Sequence, residues 1–234
     1  MASPTDQDIL GVGIYSLHEA SRLVGVPSGS IRRWLQGYHY EYRGRRVEQP
    51  PVIPQRVALQ GIDAVVVTFH DLLEVRFVHE FRKAGVSWKV IRNAAQRARD
   101  LLRTDHPFTA ERFATDGRAI FAELTAEGYR EKALLDLVKD QYVFRHVMLP
   151  SFRAQIDLTR TGAERWWPRG RNRGIVLDPT RQFGRPIVAE AGIPTTVLSS
   201  AMRVMRSAPQ VAHWFDVPVG AVRQALAFEK QLAA

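Results

Sequence analysis

The sequence predicts a mainly α protein: an N-terminal winged helix-turn-helix with small β-hairpins, a helical hairpin, and a C-terminal three-helix domain. Three observations predict it. Apolar residues recur at helical spacing in most of the patterned stretches. A Gly25-Val26-Pro27 break separates two short helical segments near the N-terminus. Tyr38, Tyr40 and Tyr42 then alternate as in a strand and run into the basic turn Arg43-Gly44-Arg45-Arg46.

Composition bounds the function. The chain has 234 residues, enough for one large domain or two modest ones at roughly 150 residues each. Hydrophobic residues make up 45%, which is enough to build cores and excludes general disorder. The net charge is +9, and only five of the 33 basic residues are Lys. Arg presents a rigid fork of donors suited to phosphates and guanine edges, so the bias points mildly to nucleic acid. A GC-rich genome produces the same bias with no functional cause. Cysteine is absent, which removes disulfides, thiolate metal sites and Cys nucleophiles together. The acidic, polar start is unlike a signal peptide, and no run of about 18 apolar residues exists. A cytoplasmic protein with no membrane contact is the expectation.

Residues 1–13 read as a flexible leader, and residues 14–150 as the winged helix-turn-helix domain with its helical hairpin. Ser16 and Glu19 have capping-box spacing, and Leu17, Ala20, Leu23 and Val24 follow at helical positions. A second helix from Ser28 carries Ile31, Trp34 and Leu35 on one face. Pro50, Pro51 and Pro54 end the wing. Thr68 caps a helix over 69–84 that Gly85 stops, and Ser87 caps the next, ending near Arg103. That helix is apolar at Val90, Ile91, Ala94, Ala98 and Leu101, and basic at Arg92, Arg97, Arg99 and Arg103. Residues 112–124 read as a small hairpin around Asp116-Gly117, and 142–149 as a strand or short helix. Residues 151–185 are expected to be a basic junction: within 160–185 there are seven Arg around Trp166 and Trp167 and few apolar residues. Residues 186–234 turn helical, over 195–205, 207–215 and 219–232.

The segment Glu19–Leu35 carries the functional expectation. A helix, a tight turn with buried Val26 and a second helix make a helix-turn-helix. If Ile31, Trp34 and Leu35 anchor the second helix, then Ser28, Gly29, Ser30, Arg32, Arg33 and Gln36 face outward. Small residues at a helix start let it enter a major groove, and Arg and Gln reach base edges or phosphates. Arg43, Arg45 and Arg46 would add sequence-independent phosphate contacts. Helix pairs of this kind also occur in proteins that do not bind DNA. A second segment, Gln210–Leu226, matches the first at a constant offset of 191, sharing Val26/Val217, Pro27/Pro218, Gly29/Gly220, Arg32/Arg223 and Leu35/Leu226. Its outward face is poor in charge, so it reads mainly as a protein-contact module. The cluster Arg165–Arg173 is either an arm along phosphates or, more simply, a solvated linker with its two Trp packed against a neighbour.

Catalytic signals are thin. The seven His show no metal-ligand spacing, His79-Glu80 lacks the second His of HExxH, and Gly11-Val12-Gly13 is too short for a phosphate loop. His70 and His79 read as surface or core-edge residues, and Asp71 with Glu74 as ordinary helix-start charge. No enzyme, catalytic residue, metal or cofactor is expected.

With these residues laid out, the chain resembles VapB-type antitoxins of type II toxin–antitoxin pairs, which join a MerR-like helix-turn-helix to a small C-terminal domain. Three stretches carry the likeness: Tyr15–Pro27 with Ile31-Arg32-Arg33-Trp34; Thr68–Arg82 continuing through Gly85-Val86-Ser87 to Ile91-Arg92; and Leu177-Asp178-Pro179, Phe183–Pro186 and Gly192–Thr195 followed by the helix pair to Glu229. The resemblance implies a homeodomain-like C-terminal domain, a PIN-domain ribonuclease toxin as partner, and repression of the protein's own promoter on double-stranded DNA. An Arg inserted among the toxin's metal-binding carboxylates would neutralise it; Arg171, Arg173, Arg203 and Arg206 are the candidates. A homodimer is expected, because one short helix per subunit needs two copies on a palindromic site. The competing expectation is a MerR-like regulator that answers to a small ligand, with Trp166, Trp167, Trp214 and Phe215 lining a pocket.

Overall fold

A computed structural model describes residues 11–55, 64–110, 155–159 and 162–233. Strand β1 (Ile14–Ser16) leads into α1 (Leu17–Val24) and α2 (Ser28–Gln36), followed by β2 (Tyr38–Tyr42) and β3 (Arg45–Gln49). Then come β4 (Val66–Thr68), α3 (Phe69–Lys83), α4 (Trp88–Leu102) and a short 3-10 turn at Pro107–Thr109. The C-terminal part holds β5 (Ile156–Thr159), β6 (Gly162–Trp166), β7 (Ile175–Val176) and β8 (Ile187–Val188). It ends in α5 (Thr195–Met205), α6 (Ala208–Trp214) and α7 (Val219–Leu232). The protein is mainly helical, with an N-terminal helix-turn-helix and small two-stranded sheets that pair β1 with β4, β2 with β3, β5 with β6 and β7 with β8. The hairpin expected at 112–124 and the element expected at 142–149 lie outside the described residues.

The chain divides into two compact units. Of the described residues, the first takes those in Tyr15–Arg153 and Leu158–Ala163, and the second those in Pro4–Ile14, Ala154–Asp157 and Glu164–Ala234. In the first, Ala20, Ile31, Leu35, Phe69, Leu72, Leu73, Phe81, Ile91 and Phe108 are all but inaccessible. Each large side chain so buried contributes about 1.5–3 kcal/mol. Caps define the helices. Ser16 accepts from the Glu19 N–H at 3.2 Å while Glu19 accepts from the Ser16 N–H at 2.8 Å. Thr68 and Asp71 repeat this reciprocal box at 3.1 and 3.0 Å. One turn recurs: a left-handed residue, a β-branched residue facing inward, then the residue that starts a helix. Gly25 (φ 71), Gly85 (φ 89), Gly192 (φ 70) and Asp216 (φ 51) supply the left-handed position. Val26, Val86 and Val217 are buried next to it.

Two expectations need correction. Asp71 and Glu74 are not solvated helix-start charges; each is only 1% exposed. Glu74 reaches across to accept the N–H groups of Phe108 and Thr109 at 2.7 and 3.2 Å, so it closes the 3-10 turn onto α3. The basic cluster Arg165–Arg173 is neither a free arm nor a solvated linker. Trp166 and Leu177 exchange backbone hydrogen bonds at 3.0 and 2.8 Å, Arg165 pairs with buried Asp178 at 3.1 Å, and Asp157 holds Arg171 and the Trp167 indole. Its apolar residues sit on short separate strands, so no sequence window shows their density.

Candidate nucleic-acid interface

The site is built on α2. Its N-cap is Pro27, which locks φ at −55° and offers no side-chain cap, unlike Ser16, Thr68 and Ser87. Ile31 and Leu35 are buried at 0% and 1% and fasten the helix to the core. That leaves Gly29, Arg32, Arg33 and Gln36 exposed and Ser30 half-buried on the opposite side. Gly29 has open space where a Cβ would stand. Arg33 leans on Ser30 Oγ at 3.4 Å and lies 5.9 Å from the Tyr38 ring centre. Ser28 is placed differently from the other site residues. Its hydroxyl donates to the Leu17 carbonyl at 3.2 Å, which ties the start of α2 to the start of α1.

The hairpin β2–β3 is fixed to the end of α2. Gly37 caps the helix with φ 76, its N–H donating to the Arg33 carbonyl at 3.0 Å. The Trp34 carbonyl accepts from Val52 and Ile53 at 2.9 and 3.0 Å, so the segment that follows β3 is tethered to the end of α2. Arg99 from α4 adds a bond to the Val52 carbonyl at 3.2 Å, and Trp34 meets Trp88 edge-on at 5.4 Å. Strand register pairs Tyr42 with Arg45 around the two-residue turn Arg43-Gly44, both at positive φ (52 and 73). Period-two alternation then sorts the side chains. Tyr38, Tyr40, Tyr42, Arg45, Val47 and Gln49 share one face; His39, Glu41, Arg46 and Glu48 share the other, where Arg46 pairs with Glu48 at 3.6 Å. The three basic residues predicted in this hairpin are therefore not equivalent: Arg45 faces with the tyrosines, Arg43 sits at the tip, and Arg46 is matched by an acid. The tyrosines, 39%, 42% and 58% exposed, had served in the sequence only as a strand signal. The alternation of Tyr38, Tyr40 and Tyr42 with His39 and Glu41 is the sequence signal that separates them from the hairpin's acids.

The same unit also holds a largely buried polar cluster at the start of α3. His70 stacks on His106 at 5.2 Å, and His106 Nδ1 lies 3.7 Å from Asp71 Oδ1. Burial, reinforced by the neighbouring His106, pushes His70 down to about 4. Burial raises Asp71, and it raises Glu74 well above the ordinary value against the pull of two backbone N–H groups and nearby Arg99. Among the described residues no group of three or more His, Asp or Glu is arranged to hold a metal ion.

The second copy repeats the first in three dimensions. Pro218 (φ −59, ψ 143) starts α7 as Pro27 (φ −55, ψ 135) starts α2. Val217 and Val222 are buried as Val26 and Ile31 are, and Gly220 and Arg223 are exposed as Gly29 and Arg32 are. The copies diverge where half-buried Leu23 is matched by Trp214, which is 73% exposed. Trp166, by contrast, is 2% exposed, so these two tryptophans do not line one pocket. Arg173, Arg203 and Arg206 are exposed, whereas Arg171 is held by Asp157.

Residues 13–95 match a family described as "Putative DNA-binding HTH domain". The chain is 26% identical over 227 residues to "Putative antitoxin VapB45" of Mycobacterium tuberculosis, covering 92% of this chain and 93% of that one. The crystal structure of Rv2018 from Mycobacterium tuberculosis shares the fold, with a TM-score of 0.70 and 22% identity over 93% of this chain and 98% of that one. Over nearly its whole length the chain is similar to an antitoxin, and over residues 13–95 to DNA-binding helix-turn-helix domains.

Proposed function

We propose that this chain is a DNA-binding antitoxin that reads its own promoter, represses its operon and neutralises a PIN-domain ribonuclease toxin. The observation that carries the DNA half is the exposed polar face of α2, with Gly29, Arg32, Arg33 and Gln36 opposite buried Ile31 and Leu35. A helix held this way enters a major groove with its small residues first, and its guanidiniums reach base edges. The β2–β3 hairpin is then the wing of a MerR-like domain, with Arg43 and Arg45 on phosphates. Ser28 acts by holding α2 in place, not by touching DNA. Two copies of the chain present two α2 helices to a palindromic site.

The antitoxin half rests on the similarity along 92% of the chain to an antitoxin. In this reading residues 14–150 read DNA, and the C-terminal unit, in which Glu164 onward is folded together with the homeodomain-like trio of helices of 186–234, faces the toxin. Arg173, Arg203 and Arg206 are the exposed guanidiniums available to the toxin's carboxylates. Arg171 must first leave Asp157. The deciding assay purifies the product of the adjacent gene and measures its ribonuclease activity with and without this chain. Stoichiometric suppression is expected. An active ribonuclease left untouched overturns the toxin half and favours a ligand-responsive regulator; a promoter left unbound in a gel shift overturns the DNA half.

A further inference from the structure

The β2–β3 hairpin exposes more aromatic surface than a phosphate-contacting wing needs. An isolated two-stranded hairpin is marginal in water, and all five β2 residues are exposed. Tyr38, Tyr40 and Tyr42 stand in a row on one face, the first two with ring centres 6.2 Å apart and planes only 31° apart. Arg33 and Arg43 lie 5.9 and 5.3 Å from the outer rings, and Arg45 is directly opposite Tyr42. Both carboxylates of the hairpin, Glu41 and Glu48, point to the other face. The tyrosine face thus combines π-surface with positive charge and carries no acid of its own.

We propose that this face is a stacking platform for the bases of single-stranded nucleic acid, with Arg33, Arg43 and Arg45 on the adjoining phosphates. The charge sorting argues against a second copy of the chain as occupant, since two such faces would bring arginines against arginines. The ring spacing argues against a duplex. Duplex bases rise about 3.4 Å per step and are already stacked on one another. Rings 6.2 Å apart suit bases splayed out along a strand, as on sheets whose alternate aromatics each take one base. The platform shares Arg33 with α2 and Arg43 and Arg45 with the proposed wing, but its tyrosines take no part in the operator reading proposed above, and single-strand binding is measured without the operator.

The test is fluorescence anisotropy on the full chain with labelled oligothymidine, oligouridine and an unrelated duplex, each about 12 nucleotides long. At least one single strand is expected to bind more tightly than the duplex, and the preferred strand identifies DNA or RNA as the source. Tyr40→Ala and Tyr42→Ala should each weaken that binding roughly tenfold, while Tyr40→Phe and Tyr42→Phe, which keep the ring, should bind as the parent does. Equal affinity for duplex and single strands, or alanine variants that bind normally, overturns the proposal. Phenylalanine variants that lose as much as the alanine ones also overturn it, because the hydroxyls would then be the contact. Photocrosslinking of 5-iodouridine probes to the unmutated protein needs no variant. Adducts are expected at Tyr38, Tyr40 or Tyr42, and adducts confined to other residues reject the platform.

Discussion

Arg32 and Arg33 are neighbours in sequence, both exposed on α2, and only Arg33 leans on a second residue of its own helix. If either reads a base edge, its replacement by Ala should cost about 1–3 kcal/mol of promoter affinity and relax specificity at one position. Unchanged isotherms for both variants would remove α2 from the interface. Glu74 gives a second prediction at this scale. Burial holds its folded-state pKa well above the ordinary 4.5, so the folded state keeps a proton that the unfolded chain releases. The stability contributed by this group is therefore full below 4.5 and is lost as pH rises through the raised value. His70 acts in the opposite sense: lowered to about 4, its contribution is present above 6.5 and lost as pH falls through that window. Asp71, raised by burial as well, acts in the same sense as Glu74, so the Glu74 part is isolated by substituting Glu74 alone. Glu74→Gln keeps an oxygen for the Phe108 and Thr109 N–H groups and has no proton to lose. Its urea midpoint should exceed the parent's by a margin that widens as pH rises above 4.5. A slope matching the parent's would mean that Glu74 does not carry this dependence.

At the scale of elements, the join between α2 and the hairpin is the most constrained point. A Cβ on Gly37 would stand 2.5 Å from the Gln49 carbonyl oxygen and 3.2 Å from the Pro51 nitrogen, at a φ of 76. Gly37→Ala should destabilise by about 2 kcal/mol or more, read as a lower melting temperature. Gly29→Ala, with open space and no positive φ, should leave that temperature unchanged or raise it. Equal melting temperatures for the two would show that the hairpin moves freely at its root. Replacing Arg43 and Arg45 together should weaken binding to all duplexes alike and lower the salt slope by about 2, since each guanidinium neutralises one phosphate. Arg46→Ala should do less, because Arg46 already pairs with Glu48. Selective weakening on the operator would instead give the hairpin a part in reading sequence. Helices and caps were legible at this scale because Ser16, Thr68 and Ser87 act within a few residues of themselves. The strands between 162 and 188 were not, because Trp166 meets Leu177 and Ile175 meets Val188 only across intervening turns.

Across the whole molecule, two helix-turn-helix copies share a turn and differ in charge. Arg223 occupies the place of Arg32, but beside Gln224 instead of a second Arg. Arg223→Ala should change operator affinity less than twofold while Arg32→Ala changes it strongly. A comparable effect at Arg223 would make the second copy a DNA reader too. The net charge of +9 attracts any polyanion, so both variants belong at one salt concentration, against an unrelated duplex as control.

By itself, the order of amino acids determined the helices, their caps, the Gly-Val-Pro turn and its echo at Asp216-Val217-Pro218, since these are settled by residues within one or two turns of each other. It also placed Arg32, Arg33 and Gln36 on one side of α2 through the spacing of Ile31 and Leu35. Only the tertiary structure decided that Asp71 and Glu74 are buried, that Ser28 faces α1, and that Arg165 and Arg171 are matched by Asp178 and Asp157. Those outcomes depend on partners from one strand to dozens of residues away, where local pattern carries no signal and packing and charge pairing choose.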